Sequence, residues 1–324
     1  MRTPAFLALL TALALASVLV ALAIGSASIS TAELWAALRG AGSETTRIVL
    51  FELRLPRAFI AFLTGALLAL AGALLQVLLR NPLADPYVLG VSGGAAVAAL
   101  VAMLLGVAGL ALTGSAFAGG LIATLLVFGL ARGPGAWSGT RLLLTGVVLA
   151  AGWGALIGFI LSLSPDAGLR GMLFWLMGDL SYASDWRPAL AVLVVGLLAT
   201  WPTARSLNVM ARGELLAGSL GVDVRRTNLR LFAVSALLTA TAVTQAGSIG
   251  FVGLVVPHLV RLAGFTDHRV LLPAAALAGG TLVVFADSVA RTLLAPQQLP
   301  VGVVTALLGV PLFLYLLQRE AGRA

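Results

Sequence analysis

The sequence contains no lysine and no cysteine, and only 10% of its 324 residues are charged. An average soluble domain carries about 25% charged residues. Without cysteine there can be no disulfides, thiolate-held metals, iron–sulfur clusters or cysteine nucleophiles. Without lysine there can be no P-loop, whose Gly-Lys-Ser/Thr run holds nucleotide phosphates. If ATP drives this chain, another subunit must supply the nucleotide site. His-Glu-x-x-His is absent as well. The only histidines, His258 and His268, stand isolated from metal-ligand partners, so no metal site and no catalytic residue is assigned.

What the sequence does have is apolar surface, at 60% hydrophobic residues. No soluble fold of this length hides that much, so lipid must form part of the solvent. A helical span needs roughly 20 apolar residues. Apolar runs near 5–25, 57–79, 88–108, 111–131, 141–163, 188–204, 229–247, 251–264, 271–294 and 301–318 leave room for about ten spans. The expected fold is all-α and polytopic, a single transmembrane domain over residues 1–324. Arg2, the apolar stretch that follows and Gly25-Ser26-Ala27 look like a signal peptide. That stretch of about 20 residues exceeds the usual h-region of about 7–15, so a retained first span is expected.

The formal charge of +8 comes entirely from arginine, with no basic run interleaved with aromatics. It points to helix ends and membrane topology rather than nucleic acid. With both termini in the cytoplasm, 13 arginines fall inside and 7 outside, as the positive-inside rule prefers. Ser28–Glu52 reads as an outer segment with a short helix around Thr31–Leu38. Leu169–Leu180 reads as an amphipathic helix at the outer interface. Arg205–Arg230 is the longest cytoplasmic segment.

Several stretches are more specific. Arg54-Leu55-Pro56-Arg57 opens the second span. Gln76 to Pro86 closes it with Asn81-Pro82 and Asp85-Pro86, followed by Leu89-Gly90-Val91-Ser92-Gly93-Gly94. Further on come Thr140 to Gly146, Gly250 to His258, Thr266-Asp267-His268-Arg269 and Leu299 to Gly309. Together and in this order they resemble the FecCD-type permeases, the membrane subunits of ATP-binding-cassette (ABC) importers for iron chelates, haem and vitamin B12. Gly93, Gln298 and Val310-Pro311-Leu312 depart from the commoner Ser, Glu and Ala-Pro-Phe.

The resemblance implies a type II importer permease of about ten spans in the inner membrane, paired with a second copy of itself. It implies two ATPase subunits below, which carry ATP and magnesium, and a substrate-binding protein above. This chain itself needs no cofactor. Arg212, Gly213, Glu214, Leu215, Ala217, Leu220 and Gly221, within a cytoplasmic segment of about 205–230, match the family's ATPase-coupling segment. The alternative is a solvated loop. Arg54, Arg57 and Arg291 match arginines that receive carboxylates of the binding protein, for which a guanidinium fork is suited. Anchoring of helix ends is the alternative, and Arg291 can instead pair with Asp287 one turn earlier. Ser138, Gly139 and Thr140 match the cytoplasmic gate of the vitamin B12 permease, with Gly139 departing from a small hydroxyl residue. They can equally serve as an N-cap.

The resemblance implies a pathway that passes a metal chelate (haem, vitamin B12 or an iron siderophore) by alternating access. The stretch from Phe265 to Pro273 looks most like vitamin B12 and haem permeases. An ion-coupled secondary transporter is the alternative, though such proteins place ionisable residues at mid-membrane. Here the acidic residues fall at span ends or in loops, with Asp287 the one near-span exception. A membrane-embedded enzyme is a further alternative, though the His-Glu-x-x-His signature of a metallohydrolase is missing.

Overall fold

A computed structural model describes residues 3–25, 31–41, 43–131, 139–182 and 185–321. Fifteen α-helices follow in order, and no strand occurs among the described residues. Helix α1 (Thr3–Ala23) carries no charge, and its 21 residues give about 31 Å at 1.5 Å per residue, enough to cross a hydrocarbon core of about 30 Å. Two short helices follow, α2 (Thr31–Leu38) and α3 (Glu44–Ile48), the latter capped by the Ser43 hydroxyl on the Thr46 amide. A π-helical turn, Val49–Arg54, leads without a break into α4 (Leu55–Leu78). The sequence reading placed residues up to Glu52 outside any span. Instead Glu44–Leu78 is one helical run of 35 residues, about 52 Å long. Its first turns therefore project beyond the apolar layer.

The remaining helices are α5 (Val91–Leu104), α6 (Gly109–Ala131), α7 (Gly139–Leu163), α8 (Asp166–Leu176), α9 (Arg187–Thr200), α10 (Ala204–Met210), α11 (Glu214–Ser219), α12 (Val224–Ala246), α13 (Val252–Leu262), α14 (His268–Thr292) and α15 (Val301–Ala321). Seven helical runs are long and apolar enough to cross a membrane, and α5, α13 and the Val301–Leu316 part of α15 supply three shorter apolar pieces. At 14 and 11 residues, α5 and α13 reach only about 21 and 16 Å. They are shorter than the spans read from sequence at 88–108 and 251–264. A short helix was expected over Leu169–Leu180; helix α8 instead spans Asp166–Leu176, with Met172 and Trp175 buried.

Helix α4 is the centre of the bundle: 89% of its most apolar stretch is buried, against 11% for α7. Lipid is as apolar as leucine, so burial alone does not join helices in a membrane. Close packing of small residues does. A Cβ on Gly65 would lie 2.1 Å from the Gly279 carbonyl oxygen of α14, and one on Gly72 only 1.9 Å from that of Gly253 in α13. Both contacts bring backbone against backbone, so any side chain would force the helices apart.

Prolines inside α13 and α14 create a polar problem, which other helices solve. Proline has no N–H, so the carbonyl four residues earlier loses its helical partner. Pro257 orphans Gly253 O, and the buried Gln76 of α4 approaches that oxygen with Nε2 at 3.4 Å and Leu254 O at 3.1 Å. The same amide reaches Ala84 O at 3.4 Å, while its Oε1 accepts from Arg261. Pro273 orphans Arg269 O, which accepts from the Trp201 indole at 3.0 Å. Unwound backbone at membrane depth persists where protein groups satisfy it.

Three chain breaks meet inside the bundle. Gly90, Gly178 and Gly247 have φ of 70°, 85° and 65°, and Phe251 adopts 69°. The Tyr87 hydroxyl accepts from Ile249 N at 2.8 Å and donates to Ile249 O at 3.0 Å. The Ser92 and Ser248 hydroxyls are 2.6 Å apart. Val301 N donates to Gly178 O at 2.8 Å. The starts of α5, α13 and α15 are thereby gathered around residues 248–249.

Candidate functional site

The two ends of the bundle differ chemically. One end holds the end of α1, the start of α4 and the end of α14, with Arg54, Arg57 and Arg291 together. The other holds α10, α11, the start of α12 and the α13–α14 connection. The sequence assignments thus separate cleanly, with the three arginines at one end and the coupling segment at the other.

At the arginine end, Arg54 is buried and donates to Leu22 O at 2.7 Å and Ala23 O at 3.2 Å. Arg291 is also buried and reaches Ala21 O at 3.4 Å and Ile24 O at 3.5 Å. Carbonyls at a helix C-terminus lack helical partners and carry partial negative charge. Two guanidinium groups from distant helices therefore close α1. Gly25 leaves the room this needs, since a Cβ there would sit 2.7 Å from an Arg54 nitrogen. Asp287, 1% exposed, joins the cluster from α14. Its carboxylate lies 2.9 Å from Arg291 Nε, one turn on, and 2.9 Å from Arg57 Nη2. Pairing of Arg291 with Asp287, an alternative from sequence, is thus present, and Arg57 joins it. Arg57 keeps 17% of its side chain exposed, with Nη1 lying 3.4 Å from the exposed Ser181 hydroxyl.

At the other end, α11 is a single short helix held between turns. Gly213 and Gly221 have φ of 128° and 81°, which only glycine adopts without strain. Val222 N donates to Ala217 O and Gly221 N to Gly218 O, both at 3.0 Å, in the Schellman pattern that ends a helix. Ala217 is fully buried and anchors the helix, while Leu215 is 94% exposed. Leu216 and Leu220 are exposed beside it, as is Arg212. Glu214 opens the helix and accepts from Asn228 Nδ2 of α12 at 3.1 Å. That bond ties α11 to a long span.

Behind α11, Asn208 bridges α10 to the start of α14. Its Nδ2 donates to Asp267 at 2.8 Å, and its Oδ1 accepts the His268 amide at 2.9 Å. The Asn208 bond and the Arg269 amide hold the Asp267 carboxyl below the usual carboxylate range. His258 is buried in α13. Among the described residues no three His, Asp or Glu side chains gather in a metal-ligand cluster.

Of the three gate residues, Ser138 lies outside the described residues. Gly139 starts α7, where an added Cβ would lie 3.7 Å from Leu79, just past the end of α4, and Thr140 is exposed. An open apolar cavity of about 530 Å³ runs along α15, lined by Met177, Ser248, Gly302, Ala306 and Val310 among others. Its floor is the convergence point of the chain breaks. Gln76, Trp201 and Asn208 were missed from sequence, although for Gln76 and Trp201 the in-helix prolines signal that donors must exist for the carbonyls they orphan.

A bundle of apolar helices crossed by unwound backbone, with an open apolar cavity and a protruding apolar knob at one end, defines a membrane permease. Comparison with known proteins fixes which kind. The chain matches the model of the FecCD transport family over residues 13–319 and belongs to that family. It is 46% identical to the cobalamin import system permease protein BtuC of Halobacterium salinarum, over 87% of this chain and 76% of that protein. It is 42% identical to the vitamin B12 import system permease protein BtuC of Escherichia coli, over 91% of each chain. A solved metal-chelate type ABC transporter, in an inward-facing conformation, superposes with a TM-score of 0.83 at 32% identity, covering 98% of this chain and 99% of that one. PsaBC of Streptococcus pneumoniae shares the fold, with a TM-score of 0.57 at 18% identity, over 84% of this chain and 94% of that one. The chain is therefore the multi-pass permease subunit of an ABC importer.

Proposed function

We propose that this permease carries cobalamin. The observation behind this reading is that relatives at 46% and 42% identity, one archaeal and one bacterial, are both cobalamin or vitamin B12 import permeases. In this reading two copies enclose the pathway. The exposed, glycine-laced α7 suits such an interface, since Gly152, Gly154 and Gly158 have open space around them. Helix α11 docks into a separate ATPase subunit, with Leu215 as the knob and Arg212, Glu214 and Leu220 around it. That subunit supplies ATP and magnesium, and this chain performs no covalent chemistry. The arginine end faces outward and receives the substrate-binding protein. The α11 end and both termini are cytoplasmic in the cell membrane, where the arginine count places them. Gly139 and Thr140 stand at the inner mouth. ATP-driven closure of the ATPases moves α11 as a rigid element and drives α12 with it through the Glu214–Asn228 bond.

Reconstitution with the ATPase and binding-protein partners in proteoliposomes, loaded in turn with labelled cyanocobalamin, haem and a ferric siderophore, tests the substrate. ATP-dependent uptake of cyanocobalamin is expected. Uptake of haem or the siderophore without cyanocobalamin overturns the assignment.

A further inference from the structure

Arginine offers carboxylates two bidentate edges, one formed by Nε with Nη2 and one by Nη1 with Nη2. In Arg57 the first edge is taken: Nε lies 3.1 and 3.3 Å from the two Asp287 oxygens, and Nη2 lies 2.9 Å from Oδ1. Asp287 is itself buried and held from the other side by Arg291. The second edge points the other way, where Nη1 meets Ser181 at the exposed surface. Lysine could not divide itself this way, because an ammonium is a point charge with no fixed edges.

We propose that Asp287 is a positioning residue for docking: it grips the inner edge of Arg57, so that the outer Nη1/Nη2 edge is already aimed at a carboxylate of the arriving partner. This rests on the reading that the arginine end receives an acidic surface of the binding protein. The cluster carries three positive groups and one negative, so it still attracts an acidic partner. Arg54 donates to carbonyls at the end of α1, Arg291 divides its donors between that end and Asp287, and both are buried, so Arg57 is the one of the three with its charged tip at the surface. A fork held in place before encounter has already given up the side-chain freedom that docking would otherwise remove.

The test uses the complete importer in nanodiscs and follows association and dissociation of its binding protein. Asp287→Asn makes the cluster more positive, so association stays equal or rises. Dissociation speeds up roughly tenfold, because the fork is no longer held. Arg57→Lys keeps the charge and loses the edge, and it speeds dissociation by a similar factor. In an Arg57→Ala background, Asp287→Asn has no further effect on dissociation, which a merely structural aspartate would not obey. Unchanged or slower dissociation in Asp287→Asn overturns the proposal, as does parent-like dissociation of Arg57→Lys if Asp287→Asn does not fold. If Arg57→Ala itself docks like the parent, the docking reading fails and takes the proposal with it. If Arg57→Ala weakens docking while Asp287→Asn and Arg57→Lys do not, the positioning role alone fails.

Discussion

Replacing Gln76 by leucine isolates the cost of an unanswered proline. The side chain is buried, its amide nitrogen faces three carbonyl oxygens at 3.1–3.4 Å, and its oxygen accepts from Arg261. Leucine keeps much of the volume and removes all four contacts. Leaving a buried polar group unsatisfied costs about 1–3 kcal/mol, and hydrogen bonds to charged groups are worth about 1.5–3 kcal/mol. Gly253 O has no helical donor and Arg261 loses its acceptor, so the variant should be about 3–5 kcal/mol less stable. Part of that cost arises only because Pro257 withholds an N–H. Pro257→Ala restores a donor to Gly253 O. The Gln76→Leu cost should therefore fall by about 0.6–1 kcal/mol in the Pro257→Ala background, in line with interhelical hydrogen bonds measured in membrane bundles. Reversible unfolding in mixed micelles of the four proteins of this cycle gives the number directly. A Gln76→Leu cost that is the same with and without the Pro257→Ala change refutes the pairing of the amide with the orphaned carbonyl.

Three further outcomes are expected. Leu215→Asp should leave thermal stability within about 0.5 kcal/mol of the parent, as for exposed positions generally, while transport and stimulation of the ATPase fall at least about tenfold, read by uptake and phosphate release. Glu214→Arg breaks the bond to Asn228 and should uncouple hydrolysis from transport in a folded protein, so unchanged coupling would remove α11 from the transmission path. Gly72→Val puts side-chain atoms where the Gly253 backbone already stands, and it should lower the yield of monodisperse protein far more than the same change at the open Gly129 of α6, compared by size-exclusion chromatography.

The sequence made the number and kind of the long helices legible, because a span needs one property only: about 20 apolar residues in a row. It was less able to show α5 and α13 as short pieces. Their flanks, such as Val88 and Gly250, are as apolar or small as the helices, and only the tertiary position of Tyr87 and Ser92 reveals where the helix begins. The continuation of α4 back to Glu44 was hidden for the opposite reason. Glu44, Arg47 and Glu52 look like loop residues by hydropathy, but a helix projecting past the lipid layer is free to carry charge. For the candidate site, the grouping of Arg54, Arg57 and Arg291 at one end was readable from the resemblance. Their different partners were not, since 230 residues separate Arg57 from Asp287 and 267 separate Arg291 from Ile24. The prominence of Leu215 over Glu214 was likewise invisible, because both stand in the same short motif and only burial tells them apart.

The closure of α1 by two arginines sets a timetable for biogenesis. Arg54 follows Leu22 by 32 residues, which a ribosome adding about 5–20 residues per second covers in roughly 2–6 s. Arg291 follows Ile24 by 267 residues, or roughly 13–53 s at the same rate. Helix α1 therefore acquires one clasp almost at once and waits for the 267 residues from Ile24 to Arg291 to be made before it receives the second. During that interval α1 can still move sideways in lipid, tethered at a single point, and the arrival of α14 fixes its place.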